Sequence, residues 1–263
     1  MLGDGFTYRG KHSSEIPVTL LGYTIHAPEL RENEDDVPGR HGVVDSGTEL
    51  GKREIELELM LESNGEHSME SRRRSLVAWL HPFAYGDLVF DDAPDVRWEA
   101  KYAGKLGIEQ ISRFGVFTVT MKCAKPFGIQ IDEAGGTLLD SDIILDSDVR
   151  LDDQYTFEVT TPESIEVNNY GTAPVYPIIE ITGTFTTLTV EIGGLSLTYG
   201  EALASGTLII DCDDMSARIG STDKSGEVGG RIDQQLAVGV NTVQIGGTGL
   251  NCSVSFRFHP LYL

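Results

Sequence analysis

The sequence predicts a mainly β protein carrying a single helix. Three observations predict it: apolar and polar residues alternate with period two in runs found in both halves, Gly, Pro and Asn clusters part those runs every ten residues or so, and only one stretch has a helical period. At 263 residues the chain suits two domains of ordinary size, or one large β domain. A chain of this length hides roughly three quarters of its unfolded surface, so its core needs no metal or disulfide staple.

Leu30 to Gly51 has no sustained apolar periodicity and holds the charged run ELRENEDDVPGRHG with Pro38 and Gly39. It reads as a loop or extended arm. Long segments of this kind inside compact domains are usually functional or disordered, and its place between two strand-like regions favours an arm that reaches a neighbouring subunit. From Glu54 to Leu61 the alternation is strict, with Ile55, Leu57, Leu59 and Leu61 on one face and Glu54, Glu56, Glu58 and Met60 on the other. That pattern is a half-buried antiparallel strand.

The helix falls between Ser68 and His81, where Leu76, Val77 and Leu80 are spaced as one face and Glu70 to Arg74 as an exposed one. Ser68 can cap it and Pro82 would stop it. Arg72, Arg73 and Arg74 invite a phosphate-binding reading, but three adjacent residues on a helix point in different directions. A solvated face or a subunit contact is the better reading. Further strands are expected at Phe117–Cys123, Leu188–Ile192 and Cys252–Phe258.

Composition separates the halves. Residues 1–130 hold 15 basic and 21 acidic side chains, net -6, and residues 131–263 hold 5 and 20, net -15. The predicted division is 1–130, a connector over 131–160, and 161–263. Within the connector, LDSDII, LDSDVR and LDDQ (Leu139 to Gln154) repeat with a period of six, read as a solvated, strand-forming linker. Its Asp-x-Asp spacing offers hard oxygen ligands, yet the twelve-residue calcium loop with its central Gly and closing Glu is missing. No metal site is therefore assigned.

The total charge of -21 argues against tight binding to nucleic acid phosphates or anionic membrane. MLGDGFTYRG lacks a signal-peptide pattern and no eighteen-residue apolar run exists, so a soluble, non-secreted protein is expected. Cys123, Cys212 and Cys252 form neither a C-x-x-C pair nor a zinc set. No disulfide framework is expected on that count, and folding in reducing cytosol is expected.

Catalytic signatures are missing too. His12, His26, His41, His67, His81 and His259 are scattered singly, and neither a G-x-S-x-G elbow nor a Walker loop occurs. Gly229-Gly230 and Gly246-Gly247-Thr248-Gly249 read as hairpin turns. Paired carboxylates could serve a glycosidase, but with 41 acids some pair always lies at a suitable separation. Trp79 and Trp98 are the only tryptophans, Trp79 being expected to face the core or a sheet. Sugar stacking by the second half would fall to Tyr155, Tyr170, Tyr176, Tyr199 and Tyr262. Neither catalytic residues nor a cofactor are assigned.

The order of segments carries more than any one of them. FTYRGKHSSEIPV (Phe6 to Val18), the acidic arm, the Glu/Leu strand, SRRRSLVAWLHP, GDLVFDD (Gly86 to Asp92) and KCAKPFG resemble the N-terminal domain of siphophage distal tail proteins. NNYGTAPVYPIIEITG (Asn168 to Gly183), GTLIIDC (Gly206 to Cys212) and LAVGVNTVQIGG (Leu236 to Gly247) resemble that family's C-terminal domain. Asn169, Tyr170 and Gly171 with Pro174 and Pro177, and the turn at Gly239 to Asn241, are fold-keeping positions.

This resemblance implies an N-terminal β-sandwich-like domain with one helix and a C-terminal galectin-like β-sandwich. It further implies a homo-hexameric ring in the virion, assembled in the host cytoplasm, that joins the tail tube protein to the tail-associated tip protein and a receptor-binding or baseplate protein. DNA would transit the ring without specific binding, and no membrane is involved. Closed rings need two different complementary surfaces per subunit. The candidates are Arg31, Glu34, Asp35, Asp36 and Arg40 in the arm and Arg72, Arg73 and Arg74 in the helix. An electronegative lumen would let DNA slide, although most of the acid excess lies after residue 130. A free carbohydrate-binding module and a hydrolase are the alternatives from other classes.

Overall fold

The computed structural model describes residues 5–16, 18–36, 38–39, 41–62, 69–80, 83–104, 109–111, 114–135 and 154–263. Among the described residues the protein is mainly β with one α-helix, and it divides into two compact units, Met1–Ile129 and Gln130–Tyr262.

In the first unit the strands are β1 (Phe6–Tyr8), β2 (Lys11–His12), β3 (Val18–Ile25), β4 (Leu30–Asp36), β5 (Val43–Leu50) and β6 (Arg53–Glu62). After the helix α1 (Met69–Leu80) come β7 (Gly86–Phe90), β8 (Ala93–Ala103), β9 (Glu109–Ile111) and β10 (Phe114–Cys123), and β11 (Gly128–Gln130) straddles the boundary. Seven of them follow the order β2-β1-β7-β8-β10-β6-β3, with β9 on β10. The alternation read at Glu54 to Leu61 decides the middle of this sheet. Ile55, Leu57, Leu59 and Leu61 are all buried, and β10 pairs along the whole of β6, from Phe114 opposite Glu62 to Cys123 opposite Arg53.

The helix forms over the predicted residues. Arg72, Leu76, Trp79 and Leu80 recur at the i, i+4, i+7, i+8 spacing of one face. Leu76 and Leu80 are buried there, and Trp79 stacks on Phe6 with ring centroids 5.4 Å apart while its Nε1 donates to the Tyr8 carbonyl at 3.2 Å. Trp79 thus faces the sheet. Ser68 and Pro82, the expected cap and stop, lie outside the described residues, as does the repeat over Leu139–Asp153.

The second unit is a sandwich built from β12 (Thr156–Val159), β13 (Glu163–Asn169), β14 (Ile178–Thr184), β15 (Thr187–Ile192), β16 (Leu195–Tyr199), β17 (Thr207–Asp211), β18 (Ser216–Ile219), β19 (Thr222–Asp223), β20 (Val228–Gly230), β21 (Gly239–Thr248), β22 (Asn251–Arg257) and β23 (Leu261–Tyr262). One sheet has the order β12-β22-β14-β17-β18-β19 and the other β13-β21-β15-β16-β20. Ile179, Ile181, Leu208, Ile210, Val254 and Phe256 of the first meet Val167, Leu188, Val190, Leu197, Val243 and Ile245 of the second in one buried cluster. β12 lies in the stretch read as connector, yet pairs with β22 from Thr156 opposite Ser255 to Val159 opposite Cys252.

Two glycine pairs depart from expectation. Gly229 and Gly230 belong to β20, and Gly246 and Gly247 to β21; of the residues expected to turn, Gly249 is the one that lies between β21 and β22. Close backbone approach explains them. A Cβ on Gly247 (φ +137°) would sit 2.0 Å from the Thr187 carbonyl oxygen, and one on Gly230 (φ +87°) 2.3 Å from that of Ser196.

Asn169 fastens the sandwich. Fully buried, it donates through Nδ2 to the carbonyls of Ala173 at 3.0 Å and Leu236 at 3.2 Å, and accepts from the Gly171 N–H at 3.1 Å. Asn169→Ala strands these groups and is expected to cost about 1–3 kcal/mol in urea unfolding. On the surface of the same unit Arg257 binds Glu133 at 2.7 Å and Glu180 at 2.6 Å, and the hydrogen bonds from Arg257 hold the Glu133 carboxyl below its ordinary range. A depressed folded pKa gives stability that is present above the unfolded value of about 4.3 and is lost as pH falls through the folded one. Glu133→Gln should therefore lower the melting temperature at neutral pH more than below about pH 4, which a thermal series across that range checks.

Candidate assembly surface

The segment from Leu30 to Gly51 is a two-stranded antiparallel ribbon, not an irregular loop. Its position follows from register. Ile25 pairs with Ile55 on β3 and β6, Leu30 pairs with Leu50 on β4 and β5, and the bonds from His26 N–H to the Glu54 carbonyl (3.1 Å) and from Glu29 N–H to the Lys52 carbonyl (2.9 Å) bridge the interval. The ribbon is the β3/β6 pair carried on past the sheet. Every residue of β4 and β5 is exposed, and the seven residues of β4 span roughly 24 Å. Without a buried face a strand has no need to alternate, which is why the sequence shows no period there.

Charge is uneven along this ribbon. Arg31 lies opposite Glu49, but Glu34 lies opposite Asp45, a like-charge pair that destabilises by roughly 0.2–1 kcal/mol. Side chains directly opposite share a face, so Glu34, Asp36, Val43 and Asp45 lie on one side and Asp35 and Val44 on the other. Arg40 lies outside the described residues.

The three arginines separate by helical period. Glu70, Arg73, Arg74 and Val77 share the outer face of α1, where the Nε of Arg73 donates to Glu70 at 2.9 Å and that of Arg74 at 3.2 Å. These hydrogen bonds hold the Glu70 carboxyl below its ordinary range. Arg72 turns inward with Leu76. It donates to the Glu62 carbonyl, and its buried Nε–H has no acceptor among the described residues. Among those residues, no hydrogen bond or ion pair joins the arginines to the ribbon acids of the same chain.

Arg72 lines a cleft of about 380 Å³ together with His12, Ser14, Glu62 and Asp91. His12 Nδ1 lies 2.6 Å from Ser14 Oγ, and Nε2 lies 3.1 Å from Asp91 Oδ2. This resembles a hydrolase triad in composition only. Nδ1 also accepts from the Ser14 N–H at 3.2 Å, and the Glu15 carboxylate accepts from the His12 N–H at 3.2 Å, which is a capping box on the 3-10 turn Ser13–Glu15. The arrangement fastens that turn to the turn after β7. No group of three or more potential metal ligands occurs among the described residues.

Sequence reasoning missed one residue. Arg53 occupies the first inward position of β6, 4% exposed, with its guanidinium 5.1 Å above the Trp98 ring. Burial lowers its pKa. Extending the β6 alternation back by one step finds it. Tyr155 and Tyr199, weighed as sugar platforms, are buried instead, as is Trp98.

Residues 16–123 match the family model described as the phage tail protein RIFT-related domain. The matched residues lie within the first unit. Over the whole chain the fold is similar to that in the crystal structure of the Dit protein of phage SPP1, described as a paradigm of the hub adsorption apparatus in phages infecting Gram-positive bacteria. That likeness has a TM-score of 0.70 at 17% identity and covers 97% of this chain and 98% of that one. Chains of the phage p2 baseplate in its activated conformation align with TM-scores of 0.39 with Ca and 0.41 with Sr, both at 9% identity. The first alignment covers 94% of this chain and 91% of that chain, the second 97% of each. These values are too low to carry an argument. No curated protein matches the sequence. The matched residues include both candidate surfaces, the ribbon and the outer face of α1.

The cysteines complete the chemistry. All three are free and buried, and burial pushes the thiols of Cys123 and Cys212 up to about 12. Such thiols are not nucleophiles at neutral pH. A disulfide reagent at pH 8 is expected to leave both untouched in the native protein and to titrate them in denaturant; rapid native reaction of either would contradict the burial.

Proposed function

We propose that the protein is a non-enzymatic hub of a siphophage tail tip, in which copies close into a homo-hexameric ring between the tail tube protein and the tip or baseplate proteins. The observation that carries this reading is the phage tail domain at residues 16–123, the unit from which the ribbon projects. The whole-chain likeness to a hub protein of a phage adsorption apparatus supports it. In this reading DNA passes through the ring without specific binding, consistent with a net charge of -21. The sandwich is a galectin-like domain outside the ring, and the protein is a virion component assembled in the host cytoplasm.

Self-assembly in this reading depends on the ribbon. An isolated two-stranded ribbon is marginal in water, and one whose residues are exposed on both faces gains its cover from a partner. Of the residues expected from sequence, Arg31, Glu34, Asp36 and Arg40 are the arm's side of the subunit contact, and Arg73 and Arg74 the helix's side. Light scattering over a concentration series is expected to give a species of roughly six times the 28.7 kDa chain, with a central hole in negative stain. Deleting 33–46 should leave the melting temperature nearly unchanged and abolish that species; a ring that survives the deletion removes the arm from the interface.

A further inference from the structure

Resting on the ring reading, we infer that one face of the ribbon, bearing Glu34, Asp36, Val43 and Asp45, docks on the outer face of α1 of a second copy, formed by Arg73, Arg74 and Val77. The two surfaces complement each other in charge and in apolar content. On the ribbon, three carboxylates surround Val43, which is 50% exposed. On the helix, Glu70 is shared by two arginines and so leaves one positive charge over, beside Val77 at 48% exposure.

The α1 outer face is a local excess of positive charge in a unit whose net charge is -6. Shared Glu70 also holds Arg73 and Arg74 in place, so less side-chain entropy is lost when they meet a carboxylate. A ribbon on one side and a helix on the other form a head-to-tail contact between unlike surfaces, the kind that generates rings when the rotation closes. The geometry narrows the interface read from sequence. Arg72 is turned inward to the cleft, and Asp35 lies on the opposite ribbon face.

Charge reversal tests the pairing in the full chain. Arg73→Glu with Arg74→Glu, and separately Glu34→Arg with Asp36→Arg, should each reduce the scattering mass from the ring to the 28.7 kDa chain. Combining all four should restore the ring, because the reversed surfaces again complement each other, while Asp35→Arg alone should leave the mass unchanged. Far-ultraviolet circular dichroism and melting temperature check that each variant folds; where a reversal unfolds the chain, the neutral pairs Arg73→Gln/Arg74→Gln and Glu34→Gln/Asp36→Gln replace it, with the ring again expected to weaken. A ring that persists in either folded reversal, or a combination that fails to restore it, overturns the pairing while the hub reading stands. A wild-type chain that stays monomeric through the series overturns the self-assembly on which both rest.

Discussion

The first unit depends on the pairing of β6. Its inward row, Ile55 to Leu61, has no exposure at all and supplies the centre of the core, and its backbone pairs with β10 on one side and β3 on the other. Burying one such leucine is worth about 1.5–3 kcal/mol, and truncating it would cost about 2–5 kcal/mol because a cavity remains. A slip of one residue in β6 would turn this row to solvent and put Glu54, Glu56 and Glu58 in the core. Register is therefore strongly specified. Since the ribbon continues that register beyond the sheet, its direction and the face each acid occupies are set by a core that the acids themselves never touch.

The helix obeys the same logic at a different period. Leu76, Trp79 and Leu80 bind α1 to the sheet, and the spacing of these three determines which of the adjacent arginines faces out. Arg72 shares their face and turns inward. Arg73 and Arg74 are left on the solvent side, each bonded to Glu70. Exposed ion pairs of this type add little stability, with a median near 0–1 kcal/mol, so their value lies in positioning charge.

Much of this was legible in the sequence where one face is buried and the other wet. The strands at Glu54–Leu61, Phe117–Cys123 and Leu188–Ile192, and the helix, all carry their period because burial imposes it. The ribbon is exposed on both faces and so reads as irregular. Gly230 and Gly247 read as turns because composition cannot distinguish a glycine needed for positive φ in a turn from one needed for close backbone approach. Arg53 was missed because charge at an inward strand position looks like the end of the strand. Only the neighbouring Trp98 ring, 45 residues away in sequence, makes that position habitable. The separation of Arg72 from its two neighbours is readable from helical spacing once the inward residues are known, but by spacing Val77 reads with Leu76 and Leu80, whereas it is 48% exposed.

Acid on the ribbon has a second physical consequence. Free backbone edges on an exposed two-stranded sheet are templates for unwanted strand pairing, and charge is a common means of blocking it. Glu32, Glu34, Asp35, Asp36, Asp45 and Glu49 place carboxylates on both strands and both faces, so two ribbons repel each other. Like charges then disfavour ribbon-to-ribbon association, whereas the α1 outer face, to which the proposed docking assigns the ribbon, carries the opposite sign. In the proposed docking, the same residues that weaken the ribbon alone, Glu34 opposite Asp45 above all, would discriminate between partners, a loss of local stability exchanged for specificity.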